Sequence, residues 1–536
     1  MSHSAFNEMI HLGEKLRQGR LSRREFLGRA AALGITTGSA ELLFSSFAAA
    51  EEPKKGGFLR LDFPDGSSVD SLDPGTWSTN FVLAAFNGSL CNNLTEILPD
   101  GSVVGDLAES FESANGTKTW TFKLRRGITF HDGKSLTPED VRQSFLHHMQ
   151  PNSASGAKAL LSQIETIEAQ GADTVVFNLK SGMADFPFLA ADYHFSVMPA
   201  KPEGGIDWKR GVGTGSFILE DFEPGQSVKM KRNPNYHKNN KPYLDEFELT
   251  NLQDMTARLN ALLTGEVDQT TDLDVKNLAI VEANKDLHVN RVASLRHWTF
   301  DMDTSVAPFN NPDVRLALKY AIDRDDIIRK VFYGAERKGN DSPVTSLMQF
   351  YAEPKPQFDY NIEKAKEHLA KAGLQSLEVS LSIAQTAFPG AVDAAALFKE
   401  HAAKAGITIN LINEADDGYW TNVWLKKPFS GCDWFGRPTC DMIFSLIYAQ
   451  DAAWNNTHWK NQRFNELLVM ARGESDNTKR AAQYAEMQQI LHDDGGMILV
   501  AFANWVYCMS DKVGHGQIGG VFPCDNMRAT ERWWRA

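Results

Sequence analysis

The chain lacks a cysteine framework: five cysteines (Cys91, Cys432, Cys440, Cys508, Cys524) are spread over 536 residues with no C-x-x-C pair. Disulfides therefore do not hold this fold together, and an odd count leaves at least one thiol free. Two pairings, Cys432–Cys440 and Cys508–Cys524, are open to it in an oxidising compartment. Long apolar runs are also missing. Beyond the N-terminal region no stretch of eighteen uninterrupted apolar residues is suited to cross a bilayer as a helix. Positive charge is in short supply, with 55 Lys and Arg against 68 Asp and Glu and a net −13. Such a surface repels phosphate, which argues against nucleic acid or anionic lipid as non-specific partners. There is no G-x-S-x-G elbow, no H-E-x-x-H and no Walker loop, so the common enzymatic signatures are absent. No repeat of roughly 20–50 residues is present either.

What is there starts with an address. Ser22-Arg23-Arg24-Glu25-Phe26-Leu27 is similar to a twin-arginine export motif, and a weakly apolar stretch follows from Ala30 to Phe47. Ala48-Ala49-Ala50 closes it with an A-x-A cleavage site, with cut after Ala50. Glu41 inside the apolar stretch disfavours a permanent membrane anchor, because a carboxylate at the bilayer centre costs about 2.5–3.5 kcal/mol. Residues 1–50 are thus expected to be a signal peptide that delivers the chain to the periplasm. Removing them takes the net charge from −13 to −15.

The remaining length is too great for one small core and predicts at least two lobes. Phe58 to Phe63 alternates as a strand, and Trp120, Phe122 and Leu124 share one face of another. Thr137-Pro138-Glu139-Asp140 opens a helix with a capping residue, a proline in the first turn and acids beside the positive helix end. Val141, Phe145 and Met149 then form its buried stripe. Further helices are expected over 255–268, from Asn311 through Ile322, over 361–372 (stopped by Gly373), and over 391–405 (ended by Gly406). A strand follows at Ile407–Ile412. Helices and strands intermingle, which makes the chain α/β.

Candidate chemistry is sparse. Gly211, Gly213 and Gly215 lack the spacing of a dinucleotide fingerprint and read as a tight turn between lobes. His147 and His148 diverge by about 100° on a helix and cannot face one metal, so they read as a solvated helix face. Asp416-Asp417 and Asp493-Asp494 read as solvated loop and helix-end acids. Aromatic density says more: Trp420, Trp424, Trp434, Trp454 and Trp459 fall within forty residues, and Trp298 and Trp505 stand near strand ends. Indole offers an apolar body and one N–H donor, which suits both cores and ligand pockets.

An ordered series of motifs then carries a resemblance over essentially the whole chain beyond residue 50. It runs through Leu72-Asp73-Pro74, Leu107 to Phe111, Trp120 to Arg125, Ile128 to Gly133 and Leu136 to Val141. It continues through Gly213-Thr214-Gly215, Arg232 to Tyr236, Asn311 to Arg315 and Ala321 to Arg324. The series resembles the bacterial extracellular solute-binding proteins of family 5, the oligopeptide-, dipeptide- and nickel-binding subunits of ABC importers. The resemblance implies a two-lobed periplasmic-binding-protein fold (type II, cluster C) with an extra domain inserted in lobe I. Lobe I is expected from 51–97, 207–295 and 501–536, the inserted subdomain from 98–206, and lobe II from 296–500. Hinges are expected near Arg291–Phe300 and Leu499–Trp505. A small-molecule or peptide ligand, membrane permease subunits and, during export, the twin-arginine translocase are the expected partners of a monomer. No catalytic residue, cofactor or metal is expected.

Dipeptide binders of this family carry an acid that pairs with the ligand's amine. Here the matching stretch is Asp433-Trp434-Phe435-Gly436-Arg437-Pro438-Thr439-Cys440-Asp441, and Arg437 stands in the acid's place. A guanidinium cannot recognise an ammonium; it pairs with carboxylate or phosphate. The ligand is therefore expected to turn an anionic group towards Arg437 and to lie against Trp434, unless Arg437 pairs internally with Asp433 or Asp441. Trp77, His297, Trp298, Trp420, Asp441 and Asn504 complete the expected ligand-binding set. A peptide or peptide-like solute is the leading reading. An anionic non-peptide (an opine, sugar acid or sugar phosphate conjugate) and a secreted hydrolase on a two-lobed scaffold are the alternatives.

Overall fold

The computed structural model describes residues 53–153 and 155–536. Arg23, Arg24 and Ala50, expected to direct export and cleavage, lie outside them. One eleven-stranded sheet runs through most of the molecule. Its order along the main path is Ile407–Asn413, Leu377–Ile383, Phe429–Trp434, Leu287–Met302, Met497–Ser510, Gln269–Thr271, Phe58–Asp62, Glu246–Thr250, Ser227–Arg232 and Phe217–Glu223. The short Arg337–Lys338 strand adds to the side of Met497–Ser510.

The two halves of this sheet belong to different cores. On one side Leu59, Leu61, Phe81, Phe86, Phe247 and Leu249 pack with Tyr507 and Trp533. On the other, Phe300, Leu318, Leu381, Phe398 and Ile409 form a second large core. Among the described residues, only the antiparallel strands Leu287–Met302 and Met497–Ser510 run the length of both halves. Their pairing breaks between Ala293 and His297, inside the stretch expected to be a hinge. There Ser294 donates to the Ala503 carbonyl, and Arg337 donates to both the Ser294 carbonyl and the Asn504 side chain. Arg337 thereby links both strands at the point where their own ladder is interrupted.

A separate four-stranded antiparallel sheet (Ala108–Ala114, Thr119–Leu124, Thr174–Leu179, Ile164–Gln170) carries its own core. The helix Pro138–Met149 lies on it, burying Val141 and Phe145 beside Phe122 and Phe177. Its capping box forms as the residue types require, with Asp140 accepting from the Thr137 N–H and Thr137 accepting from that of Asp140. The other expected helices are Met255–Thr264, Pro312–Tyr320, Ile362–Lys371 and Ala391–Ala403. Gly265 closes the first of them in the left-handed region, at φ 75°.

Several expectations change. All five thiols are free and buried, so neither Cys432–Cys440 nor Cys508–Cys524 forms a disulfide. The Gly213–Gly215 stretch is a close backbone approach rather than a turn between lobes. A Cβ at either glycine would lie 2.0 Å from a carbonyl oxygen, that of Leu90 or Ser89. His147 and His148 are not a solvated face. His147 bonds Asp73, and His148 is buried against Ser155, with burial and the neighbouring histidines pushing its pKa down to about 3. Asp494 is likewise engaged, accepting from Arg315 and from the Trp459 indole.

Candidate functional site

The strand Phe429–Trp434 pairs with the crossover strand so that Trp434 lies opposite His297 and Asp433 opposite Trp298. At its end the chain turns on Gly436, where φ is +24° and a Cβ would sit 2.3 Å from that of Leu295. Only glycine fits between this turn and the crossover strand. The turn projects Arg437. Thr439 then caps a short helix, Cys440–Ile443, that continues as a wider π turn over Phe444–Tyr448. Between strand and helix lies a cavity of about 330 Å³.

Its walls are chiefly aromatic. Trp420, Trp424, Trp434 and Trp454 line it, with Phe435 and Arg437 at the turn. Trp424 meets Trp420, Trp434 and Trp454 edge to face, at 6.2, 6.0 and 6.0 Å between ring centroids. Such contacts are worth roughly 0.5–1.5 kcal/mol each beyond burial, so the wall is held before any ligand arrives. Beneath it, Trp434 is turned towards Asp301, a buried carboxyl that burial raises to about 6 although Thr299 and Asn456 donate to it.

Arg437 forms no ion pair among the described residues. Its Nη1 donates to the carbonyls of Phe435 and Gly436, at 3.2 and 2.7 Å. Both carboxylates considered as internal partners are taken. Asp433 receives the Arg296 guanidinium, which lies 4.7 Å from the centre of the Phe435 ring. Asp441 receives Arg472 at 3.0 and 3.2 Å, together with the Ser445 hydroxyl at 3.2 Å. Burial pushes the Arg437 pKa down, and the charge of Asp192 opposes it. Asp192 belongs to the chain segment that follows the four-stranded sheet. Burial raises its pKa, but His194, which donates through backbone and ring, and the charge of Arg437 hold it below the usual carboxylate range. Its neighbour Tyr193 packs against Phe522 at 6.2 Å.

Of the residues expected to bind ligand, the structure brings Trp420, Trp434 and Arg437 together on this cavity. The others lie elsewhere. Trp77 is in a core, donating to the Ser71 carbonyl. Trp298 is stacked on Phe388 at 5.6 Å and 9° within the opposite core. His297 is fully buried, bonded to the Leu295 carbonyl and pushed down to about 4 by burial. Asp441 holds Arg472, and Asn504 is bound by Arg337 and donates to the Ala335 carbonyl. An indole's apolar body satisfies a core as readily as a pocket, so tryptophan density alone does not separate Trp298 from Trp454. Asp192 carries no motif that sequence reading could have found. Among the described residues no group of three or more His, Cys, Asp or Glu is placed to hold a metal ion.

A sheet shared by two cores, two crossover strands and an open aromatic cavity beside their interrupted pairing define a binding protein. The chain belongs to the bacterial extracellular solute-binding proteins of family 5, whose middle-region family model matches residues 102–456. It is 27% identical over 441 residues to the heme-binding protein A of Haemophilus influenzae, covering 76% of this chain and 80% of that one. It is 24% identical over 516 residues to the periplasmic oligopeptide-binding protein OppA of Escherichia coli, covering 86% and 90%. The structure of HbpA2 from Haemophilus parasuis superposes with a TM-score of 0.78 at 21% identity, over 87% of this chain and 98% of that one. The family's solved structures share this two-lobed fold.

Proposed function

We propose that this protein is the periplasmic substrate-binding subunit of an ABC importer that captures a peptide or peptide-like solute between its lobes. The observation that carries this reading is the position of the aromatic cavity. It opens at the end of the Phe429–Trp434 strand, beside the interrupted crossover strands, and the Arg437 at its rim feels the charge of Asp192. Lobe I comprises 51–97, 207–295 and 501–536, with 98–206 inserted, and lobe II comprises 296–500. The lobes move about the breaks near residues 294 and 503. Ligand that touches both lobes binds the closed form more tightly and so shifts the population towards it. The permease then recognises a surface that only the closed form presents. The chain acts as a monomer without catalysis, and Arg23-Arg24 directs it to the twin-arginine translocase before cleavage after Ala50.

Thermal unfolding of the purified protein against a library of short peptides tests this. Ligand at a hundred times its Kd stabilises the folded state by about 2.7 kcal/mol and raises Tm accordingly. Small-angle scattering should show the same peptides contracting the molecule. A library that shifts nothing, or peptides consumed by the protein alone, would sink the reading.

A further inference from the structure

The cavity beside Arg437 has a composition that narrows the ligand further, and this step rests on the reading just given. We propose that the ligand places one bulky apolar ring in the indole-walled cavity and an anionic group, of the carboxylate kind, on Arg437. Three observations lead there. The cavity, at about 330 Å³, lies at the low end of ligand pockets, which run from roughly 300 to 1,000 Å³, and suits one ring-bearing side chain rather than an extended chain. Its wall is rigid, because Trp424 is fixed edge to face against three other indoles. Water held among indole faces is poorly hydrogen-bonded and is displaced with gain by an apolar ring.

The third observation is the state of Arg437. Its Nη1 donates to two carbonyls of its own loop, those of Phe435 and Gly436. Three carboxylates in its surroundings each have another partner: Asp433 has Arg296, Asp441 has Arg472 and Asp192 has His194. The loop carbonyls orient the guanidinium without satisfying its charge, and its planar fork matches a carboxylate in bidentate fashion. Asp192 sits close enough to be felt but makes no ion pair with Arg437, so an anion reaching the fork also comes under the field of Asp192. A ligand that carries an ammonium as well as its carboxylate, with the ammonium turned to Asp192, is accommodated better than a bare dianion. A peptide or amino-acid derivative with an aromatic residue and a free carboxylate meets all three conditions.

Titration calorimetry on the purified protein tests this with di- and tripeptides ending in Phe, in Ala, and in Phe amide. The Phe-ending acids should bind at least tenfold more tightly than either the Ala-ending acids or the amides. Arg437→Gln should bring the acids down to the level of the amides while leaving the amides unchanged, and Trp454→Ala should bring Phe down to Ala. Should Arg437→Gln fold poorly by circular dichroism, Arg437→Lys should retain only part of the preference for acid, since it keeps charge but loses the fork. All probes binding within threefold of one another would overturn the proposal and leave solute capture standing. So would failure of the Phe-ending acids while other library peptides bind. Failure of every peptide in the library would overturn both.

Discussion

At the scale of single residues, the motifs easiest to see turn out to be structural. Arg324, in the Ala321–Arg324 motif, is fully buried and donates to the Leu499 and Phe358 carbonyls and to both oxygens of Asp341, at 2.8 and 2.9 Å. Arg324→Met would leave Asp341 buried without its counter-charge, a loss of about 3–5 kcal/mol that urea denaturation would show, with ligand affinity retained. Gly436 behaves differently because it is structural and functional together. Gly436→Ala forces a Cβ to within 2.4 Å of the Leu295 carbonyl oxygen. The crowding should cost about 1–3 kcal/mol and, by shifting the turn, should weaken ligand binding as well. A variant destabilised to that extent with unaltered affinity would detach the turn from the site.

Among elements, the crossover strands matter most, and a half-buried carboxyl sits where they meet. Glu336 accepts from the backbone N–H of Asn504, and Arg296, Arg337 and Arg291 face it. Burial outweighs these favourable partners and raises its pKa to about 7. In the unfolded chain a glutamate titrates near about 4.3. Between those two values the unfolded state gives up a proton that the folded state keeps. Glu336 therefore lowers stability as pH rises through that window, and the effect levels off above it. Glu336→Gln removes this contribution, so its Tm relative to the parent should increase from pH 4.5 to pH 7.5. A difference independent of pH would show that Glu336 does not titrate there.

The elements themselves were largely legible. Capping residues, glycine stops and apolar periodicity act over a few neighbours, so the helices at Pro138, Pro312, Ile362 and Ala391 begin and end close to where local chemistry puts them. The stretch that the family resemblance implies as a hinge contains a break in strand pairing after Ala293. The cavity was legible only in part. Trp420, Trp434 and Arg437 could be named because they share one segment, whereas Asp192 approaches from far away in sequence. The π turn at Phe444–Tyr448, which forms one wall, leaves no periodic trace.

For the whole molecule the decisive feature is how the chain end is tied back to its beginning. Arg528 is buried and donates to Asp106 at 2.7 Å and to Glu531 at 3.3 Å, with Glu96 at 3.6 Å. Lys238 adds bonds to Glu96 and Glu531, and Tyr236 donates to Glu531. Residues near positions 96, 106, 236 and 531 thus share one network, which joins the final turn to the base of the four-stranded sheet. Burial alone would raise the Asp106 and Glu531 carboxyls, but the cations outweigh it. Asp106 is held well below its usual range, and Glu531 falls to about 2. Carboxyls lowered in this way stabilise the fold above their unfolded pKa, and that stability is lost as pH falls through the folded values. Arg528→Met would strand the buried carboxylates of Asp106 and Glu531 and the half-buried one of Glu96, leaving Lys238, His237 and the more peripheral Arg532 around them. The expected loss is about 3–5 kcal/mol near neutral pH, and it should shrink as the solution is acidified and those carboxyls take up protons. The network lies apart from the indole cavity, so the surviving folded protein should bind its ligand with unchanged affinity in calorimetry. Arg437→Gln should give the opposite pattern, with stability kept and affinity lost. A loss of affinity in Arg528→Met equal to that in Arg437→Gln would mean that the chain-end network and the cavity are coupled rather than independent.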